Sequence, residues 1–276
     1  NPTLSSVIAP AACRVRFGSR TACVESTDGL PLLRVALPVL AGTADECVLG
    51  GTAEPVRGAD YTLFHGTSWL AGFAVAAADA DLEIAAGELY HRLFTVTAGL
   101  HLYRIWNYVP QINAHAQGLE NYRRFCRGRS LAFEEHFGRG FQHRLPAASA
   151  VGTVAGPLAV GFLAGKVEPR HFENPRQVPA FEYPPEYGPR PPSFSRATVA
   201  VTEQGRQIFI SGPAAIRGHV TVAADNLNQQ LACAGENLRL IGETAGAGRD
   251  LGASGGWRRS FKIYLRHPAD LGRVQT

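Results

Sequence analysis

Apolar positions along the chain change period several times, and each change predicts an element. Between Leu82 and Thr97 they fall at helical spacing, with Leu82, Ala85, Ala86, Leu89 and Leu93 on one side and Gly99 ending the run. His101 to Val109 then alternates and is rich in aromatic and β-branched residues, which predicts a strand stopped by Pro110. Helical spacing returns from Leu119 to His136. Two further apolar runs, Ala147–Val154 and Leu158–Val167, flank a Gly-Pro pair and predict a hairpin. The first 58 positions carry only short β-type runs such as Leu32–Leu37 between Gly, Pro and Asp breaks.

The same order recurs downstream. Arg206–Ser211 reads as a strand, and Asn226–Glu243 as a helix with Leu227, Leu231, Leu238 and Ile241 along one side. A glycine-rich turn from Gly246 to Gly256 follows, then an alternating strand Ser260–Arg266 stopped by His267-Pro268. Helix, glycine turn, strand and proline stop thus occur twice, which predicts an α+β fold built by internal duplication. The expected division is 1–168, an ordered Pro-rich loop over 169–192, and 193–276. That loop holds Phe172, Phe181, Tyr183, Tyr187, Arg176 and Arg190 between its prolines, more than a plain spacer needs. The two halves should pack face to face with a site at their junction. The first half closes with a helix and a paired edge that the second lacks, so the chain is expected to continue some tens of residues beyond Thr276.

Composition narrows the function. The 276 residues are 45% hydrophobic and 18% charged, as in soluble globular proteins, and no apolar run is long enough to span a membrane. A net charge of +4 without a basic stripe argues against nucleic acid. All but two of the 27 basic residues are arginine, whose planar fork suits carboxylates. Five cysteines without a CxxC pair fit free thiols in a reducing cytoplasm. His171-Phe172-Glu173 lacks the PCxxC of a zinc deaminase, and no histidine spacing selects an iron site, so no metal is expected. There is no GxSxG nucleophile elbow, and the glycine-rich turn lacks a P-loop ending.

Three segments concentrate guanidinium, phenol and amide groups: Arg104 to Asn113, Tyr122 to Arg129, and Glu173 to Ala197. Together they suit a small, rigid ligand carrying more than one carboxylate. With Leu145–Gly152 and Ile210–His219, they resemble the chorismatase family of chorismate hydrolases and hydroxybenzoate synthases, from about Leu89 to Leu271. Each half also resembles a subunit of the trimeric RidA (YjgF-like) proteins, through Ile210-Ser211-Gly212, Glu236-Asn237-Leu238 and Pro146–Val151. The resemblance implies two RidA-like halves in a pseudo-trimeric arrangement, forming a monomer, with a homo-oligomer as the alternative.

It further implies cleavage of the enolpyruvyl ether of chorismate to pyruvate and either a dihydroxycyclohexadiene carboxylate or a hydroxybenzoate, with no cofactor. On this footing Tyr187, Arg190 and Arg196 are expected to contact carboxylates and ring. Ser211, Gly212 and Ala214 should line the pocket floor, and Arg123 and Arg129 should contribute from the other half. Tyr122 and His219 should support them from behind. The chain departs from the family at Pro213, where a Thr is usual, and at Ala215, where a Ser is usual. The family's general-acid Glu, and the reactive Cys of its hydroxybenzoate branch, would lie beyond Thr276, the Glu close to Ala214. The competing readings are a RidA-like deaminase or small-carboxylate binder, and a pteridine-dependent dioxygenase, a label that family members have carried.

Overall fold

The computed structural model describes residues 11–27, 30–50, 54–57, 61–252 and 256–275. The amino-terminal ten positions and Gly255 of the glycine-rich turn lie outside them. The fold is mixed α/β with several sheets. Strands β1 (Ala11–Phe17), β2 (Cys23–Thr27), β3 (Leu30–Val35) and β4 (Asp45–Gly50) form a first sheet in the order β2-β3-β1-β4. The chain continues through β5 (Glu54–Arg57), β6 (Thr62–His65), β7 (Trp69–Val75), helix α1 (Leu82–Val96) and β8 (His101–Pro110). A short ribbon, β9 (His115–Ala116) with β10 (Leu119–Glu120), leads into α2 (Asn121–Phe137), then β11 (Ala147–Thr153) and β12 (Ala159–Gly165). The central six-stranded sheet has the order β11-β8-β12-β7-β6-β5.

This sheet is covered on both faces, which is why β12 reads as an unbroken apolar run and is buried at every position. Both helices pack on one face, where Tyr90, Phe94, Phe125 and Phe133 meet Ile105, Val109 and Phe162. The first sheet covers the other, through Val15, Phe17, Leu33 and Val35 against Phe73, Tyr103, Tyr108 and Leu163. Helix α1 starts where its sequence says it should. The Asp81 carboxylate accepts the Glu83 and Ile84 N–H groups at 3.0 and 3.2 Å. Its other oxygen takes Arg124 of α2 at 2.5 Å, so one side chain caps one helix and ties down the next.

The two helices touch at Gly128. A Cβ there would run into the carbonyl oxygen of Glu83 in α1, which explains a glycine in the middle of α2 despite its poor helix propensity.

The expected hairpin over Ala147–Val167 does not form. β8 lies between the two runs: β11 pairs with it in parallel, Ala147 opposite Arg104, and β12 antiparallel, Gly161 opposite Trp106. The Gly-Pro link passes the end of β8 instead of folding back on itself. Local turn chemistry was outweighed by the aromatic strand, which needs cover on both edges.

Beyond β12 come β13 (Arg170–Phe172), β14 (Ala197–Thr202) and β15 (Gly205–Ile210), an antiparallel sheet in that order. The ribbon β16 (Ile216–Arg217) with β17 (Val220–Thr221) follows, then α3 (Leu227–Thr244) and the short α4 (Leu271–Val274). Ile241 and Ala245 of α3 pack with Phe172, Ile208 and Ile210. The strand expected over Ser260–Arg266 is likewise absent, because the segment has no ladder partner. Its alternation is kept in another form. Lys262 pairs with Glu46 and sits 4.4 Å from the Phe17 ring centroid, while Phe261 and Ile263 are exposed.

Gly128→Ala tests the helix crossing. The added methyl should cost about 1–3 kcal/mol and lower the melting temperature by several degrees, with far-ultraviolet dichroism unchanged. A more stable variant would show that the crossing has room.

Candidate functional site

The Pro-rich segment is an ordered wall tied to α3 on one side and to α2 on the other. After β13 it forms two 3-10 turns, Ala180–Glu182 and Pro185–Tyr187, held by side chains that replace missing ladder bonds. Buried Asn174 accepts the Arg176 N–H and donates to the Asn237 carbonyl of α3, at 2.9 and 3.0 Å. Asn237 in turn donates to the carbonyls of Ala214 and Ile216 at 2.8 and 2.9 Å. Val178 and Gly218 add backbone bonds, Val178 N–H to Gly218 and Gly218 N–H to Arg176, both 2.9 Å. This stitching carries His219 to the loop, where its Nδ1 lies 3.0 Å from the Tyr187 hydroxyl.

On its far side the loop is fastened to α2. Arg190 pairs with Glu134 at 2.6 Å. Gly188, at φ +147°, passes over the stem of Arg123, where any Cβ would sit 3.4 Å from Arg123 Cγ. Arg123 itself reaches Glu120, 3.5 Å away. Both residues, expected at a ligand, are thus engaged with carboxylates of this chain.

At the centre stands Arg196, at the entrance to β14 and only 6% exposed. Its Nη2 donates to the Tyr183 hydroxyl at 3.0 Å and the Val178 carbonyl at 3.2 Å. The guanidinium lies 5.1 Å from the Phe194 ring centroid and 5.9 Å from that of Tyr183. Its Nε is buried without a hydrogen-bond partner. The nearest carboxylate is Glu173, whose Oε2 is 3.8 Å from that Nε. Burial pushes the Glu173 carboxyl up to about 7, against the pull of Arg196. Tyr183, Tyr187 and His219 form a ring cluster beside it, with centroids 5.4 to 6.3 Å apart.

Of the residues expected at the site, Tyr187, His219 and Arg196 are gathered around Tyr183. Tyr122 is partly buried, and burial raises its phenol pKa well above the usual value, with Cys126 and Tyr183 adding to the rise. Arg129 lies in the helix core, its guanidinium 5.2 to 5.9 Å from the rings of Tyr90, Phe125 and Phe133. Ser211 is structural: its hydroxyl donates to the Ser195 carbonyl at 2.6 Å and accepts the Ala148 N–H at 2.8 Å. Gly212 and Ala214 are exposed. Glu173, Tyr183 and Asn237 were not singled out as site residues, although the first two sit in the Pro-rich segment whose composition pointed to a ligand. Asn237 stood only within the Glu236-Asn237-Leu238 resemblance to RidA proteins, because a lone polar residue on a helix is ordinarily solvated and signals no site role.

Chemically the arrangement is a buried cation with one acid beside it and phenols around it. It favours a carboxylate on a flat, unsaturated ring. Among the described residues no cluster of three or more His, Cys, Asp or Glu could hold a metal, and no helix is long and apolar enough to cross a membrane.

Comparison with known proteins points the same way. Residues 49–164 match the family model for the N-terminal part of FkbO/Hyg5-like chorismatases. A 3-hydroxybenzoate synthase of Streptomyces hygroscopicus is 40% identical over 186 residues, covering 63% of this chain and 53% of that protein. A chorismatase of the same organism is 39% identical over 201 residues, 69% of this chain and 57% of its own. The chain therefore spans little more than half the length of these relatives. A chorismatase crystal structure superimposes with a TM-score of 0.78 at 27% identity, covering 100% of this chain and 85% of the other.

Ser211→Ala should separate structure from chemistry at the junction. Losing the hydroxyl leaves the Ala148 N–H and the Ser195 carbonyl unpaired, at a cost of about 1–3 kcal/mol in urea unfolding. Unchanged stability would remove Ser211 from the structural role.

Proposed function

We propose that the chain, similar over residues 49–164 to the N-terminal part of FkbO/Hyg5-like chorismatases, acts on chorismate, releasing pyruvate from the enolpyruvyl ether. The observation that carries this reading is Arg196, a guanidinium held by Tyr183 and Val178 with its Nε left without a hydrogen-bond partner. Chorismate is a dianion, and one carboxylate would complete that fork. Tyr183 and Tyr187 offer faces to the ring, with His219 setting the direction of the Tyr187 hydroxyl. Arg129, flanked by aromatic rings and with Nε and Nη2 unpartnered, is the second guanidinium proposed to act on the substrate's charge.

The reaction starts with protonation of the vinyl-ether methylene, which forms an oxocarbenium ion still joined to the ring through the ether oxygen. In the hydrolytic route water adds to that ion and the hemiketal collapses, breaking its bond to the ring oxygen. Water capture gives pyruvate and a dihydroxycyclohexadiene carboxylate; rearrangement with aromatisation gives pyruvate and a hydroxybenzoate. This chain's share is to anchor the anion, orient the ether and keep stray nucleophiles away. Neither route draws on a metal or organic cofactor.

The architecture that goes with this reading is a RidA-like duplication in a pseudo-trimeric arrangement. Its support is an antiparallel pair followed by a helix in each part of the chain, β6–β7 then α1, and β14–β15 then, after the β16–β17 ribbon, α3. Two such halves in one chain favour a monomer over a homo-oligomer, and five free cysteines suit a reducing, cytoplasmic setting.

Two measurements test the function. Incubating the full-length protein with chorismate should yield pyruvate and one of the two ring products, separable by chromatography; no pyruvate overturns the reading. Arg196→Ala should lower kcat/KM about ten- to a hundredfold, the worth of a charge-assisted contact of about 1.5–3 kcal/mol. Wild-type kinetics in that variant would remove Arg196 from the site.

A further inference from the structure

The contact between Glu173 and Arg196 is only half made. Oε1 of Glu173 accepts the main-chain N–H of Arg196 at 3.1 Å. Its Oε2 and the Arg196 Nε are both buried and both without a hydrogen-bond partner, yet they stand 3.8 Å apart. That is too far for a hydrogen bond and close enough for either charge to be felt. The other end of the guanidinium is occupied by Tyr183 and Val178. Its Nε is thus left to Glu173 or to an arriving anion.

We propose that Glu173 is a positioning residue that gates Arg196, competing with the ligand carboxylate when ionised and yielding the guanidinium to it when protonated. This rests on the reading that Arg196 binds a carboxylate of the substrate. The backbone bond through Oε1 fixes the carboxyl in place whatever its charge, so only the electrostatics at Oε2 change.

The surroundings set where the gate works. Arg196 lowers the Glu173 pKa, while Glu182, on the first 3-10 turn, raises it together with burial, and the balance lies at about 7. The Tyr183 hydroxyl, on the same loop, accepts a hydrogen bond from Arg196 Nη2. His171, two residues earlier, stays uncharged at neutral pH because burial lowers its pKa to about 4, and its Nδ1 is 3.0 Å from the Thr198 hydroxyl. Chorismate's carboxylates, with ordinary pKa values near 4, remain ionised throughout the window. An anion that prefers protonated Glu173 raises its pKa further in the complex. Binding therefore takes up protons, and affinity falls as pH rises through 7.

The test is the pH dependence of chorismate binding and turnover by the full-length wild-type protein and by Glu173→Gln, which mimics the neutral acid. Between pH 6 and 8 the wild-type KM should rise several-fold, up to about tenfold for one unit of linked pKa. Glu173→Gln should hold a low, flat KM. Calorimetry at pH 7.5 in buffers of different ionisation enthalpy should show fractional proton uptake on binding in the wild type and none in the variant. A pH-indifferent wild-type KM with no proton uptake overturns the gate, as does a variant that keeps the wild-type slope. Failure to bind chorismate at any pH overturns the substrate reading first and the gate with it. If the variant does not fold, proton uptake by the wild type decides alone.

Discussion

The outer edge of β11 has to be closed, and the β13–β15 sheet is docked by closing it. An edge strand beside a parallel neighbour presents N–H groups that cannot be left dry. The Ala147 N–H donates to the Thr198 hydroxyl at 2.7 Å and the Ala148 N–H to the Ser211 hydroxyl at 2.8 Å. The Pro146 carbonyl accepts the Ser195 N–H at 3.1 Å. Two side-chain hydroxyls and one backbone bond thus stand in for a seventh strand. They pin β14 and the end of β15 against the central sheet, and Arg196 lies between the two pinned residues, Ser195 and Thr198. Its position is a consequence of satisfying that edge.

Burial of the guanidinium follows from the same closure. Arg196 is largely shielded from water, so it is compensated by what surrounds it: a phenol, a carbonyl, two ring faces and a carboxyl held just out of bonding distance. A carboxylate bonded directly to Nε would satisfy the protein and leave nothing for a ligand. Elsewhere the molecule does the opposite. Arg124, Arg190 and Arg249 are spent on carboxylates of the chain itself, as ordinary ties between elements.

Much of the scaffold was legible because its signals are local. The apolar spacing of α1 and α2 matches the faces they bury, and the aromatic strand β8 lies where alternation put it. The Pro-rich segment was legible as something more than a spacer, since aromatic and arginine residues at such density are costly unless used. Its partners were not. Nothing near Tyr187 in sequence announces His219, and nothing near Arg190 announces Glu134, because both contacts join elements far apart in the chain.

The sequence by itself determined which stretches are helix, which alternate, and which chemistry is concentrated where, since these depend on period and composition within a few turns of chain. Only the tertiary structure decided that β11 and β12 flank β8 rather than each other, that Lys262 reaches Glu46 and the Phe17 ring while Phe261 and Ile263 stay exposed, and that Arg196 keeps a buried nitrogen without a hydrogen-bond partner while Arg190 pairs with Glu134. Strand neighbours and ion-pair partners are chosen by which backbone edges and charges would otherwise be buried unpaired. That is a property of the whole packing, carried by no single segment.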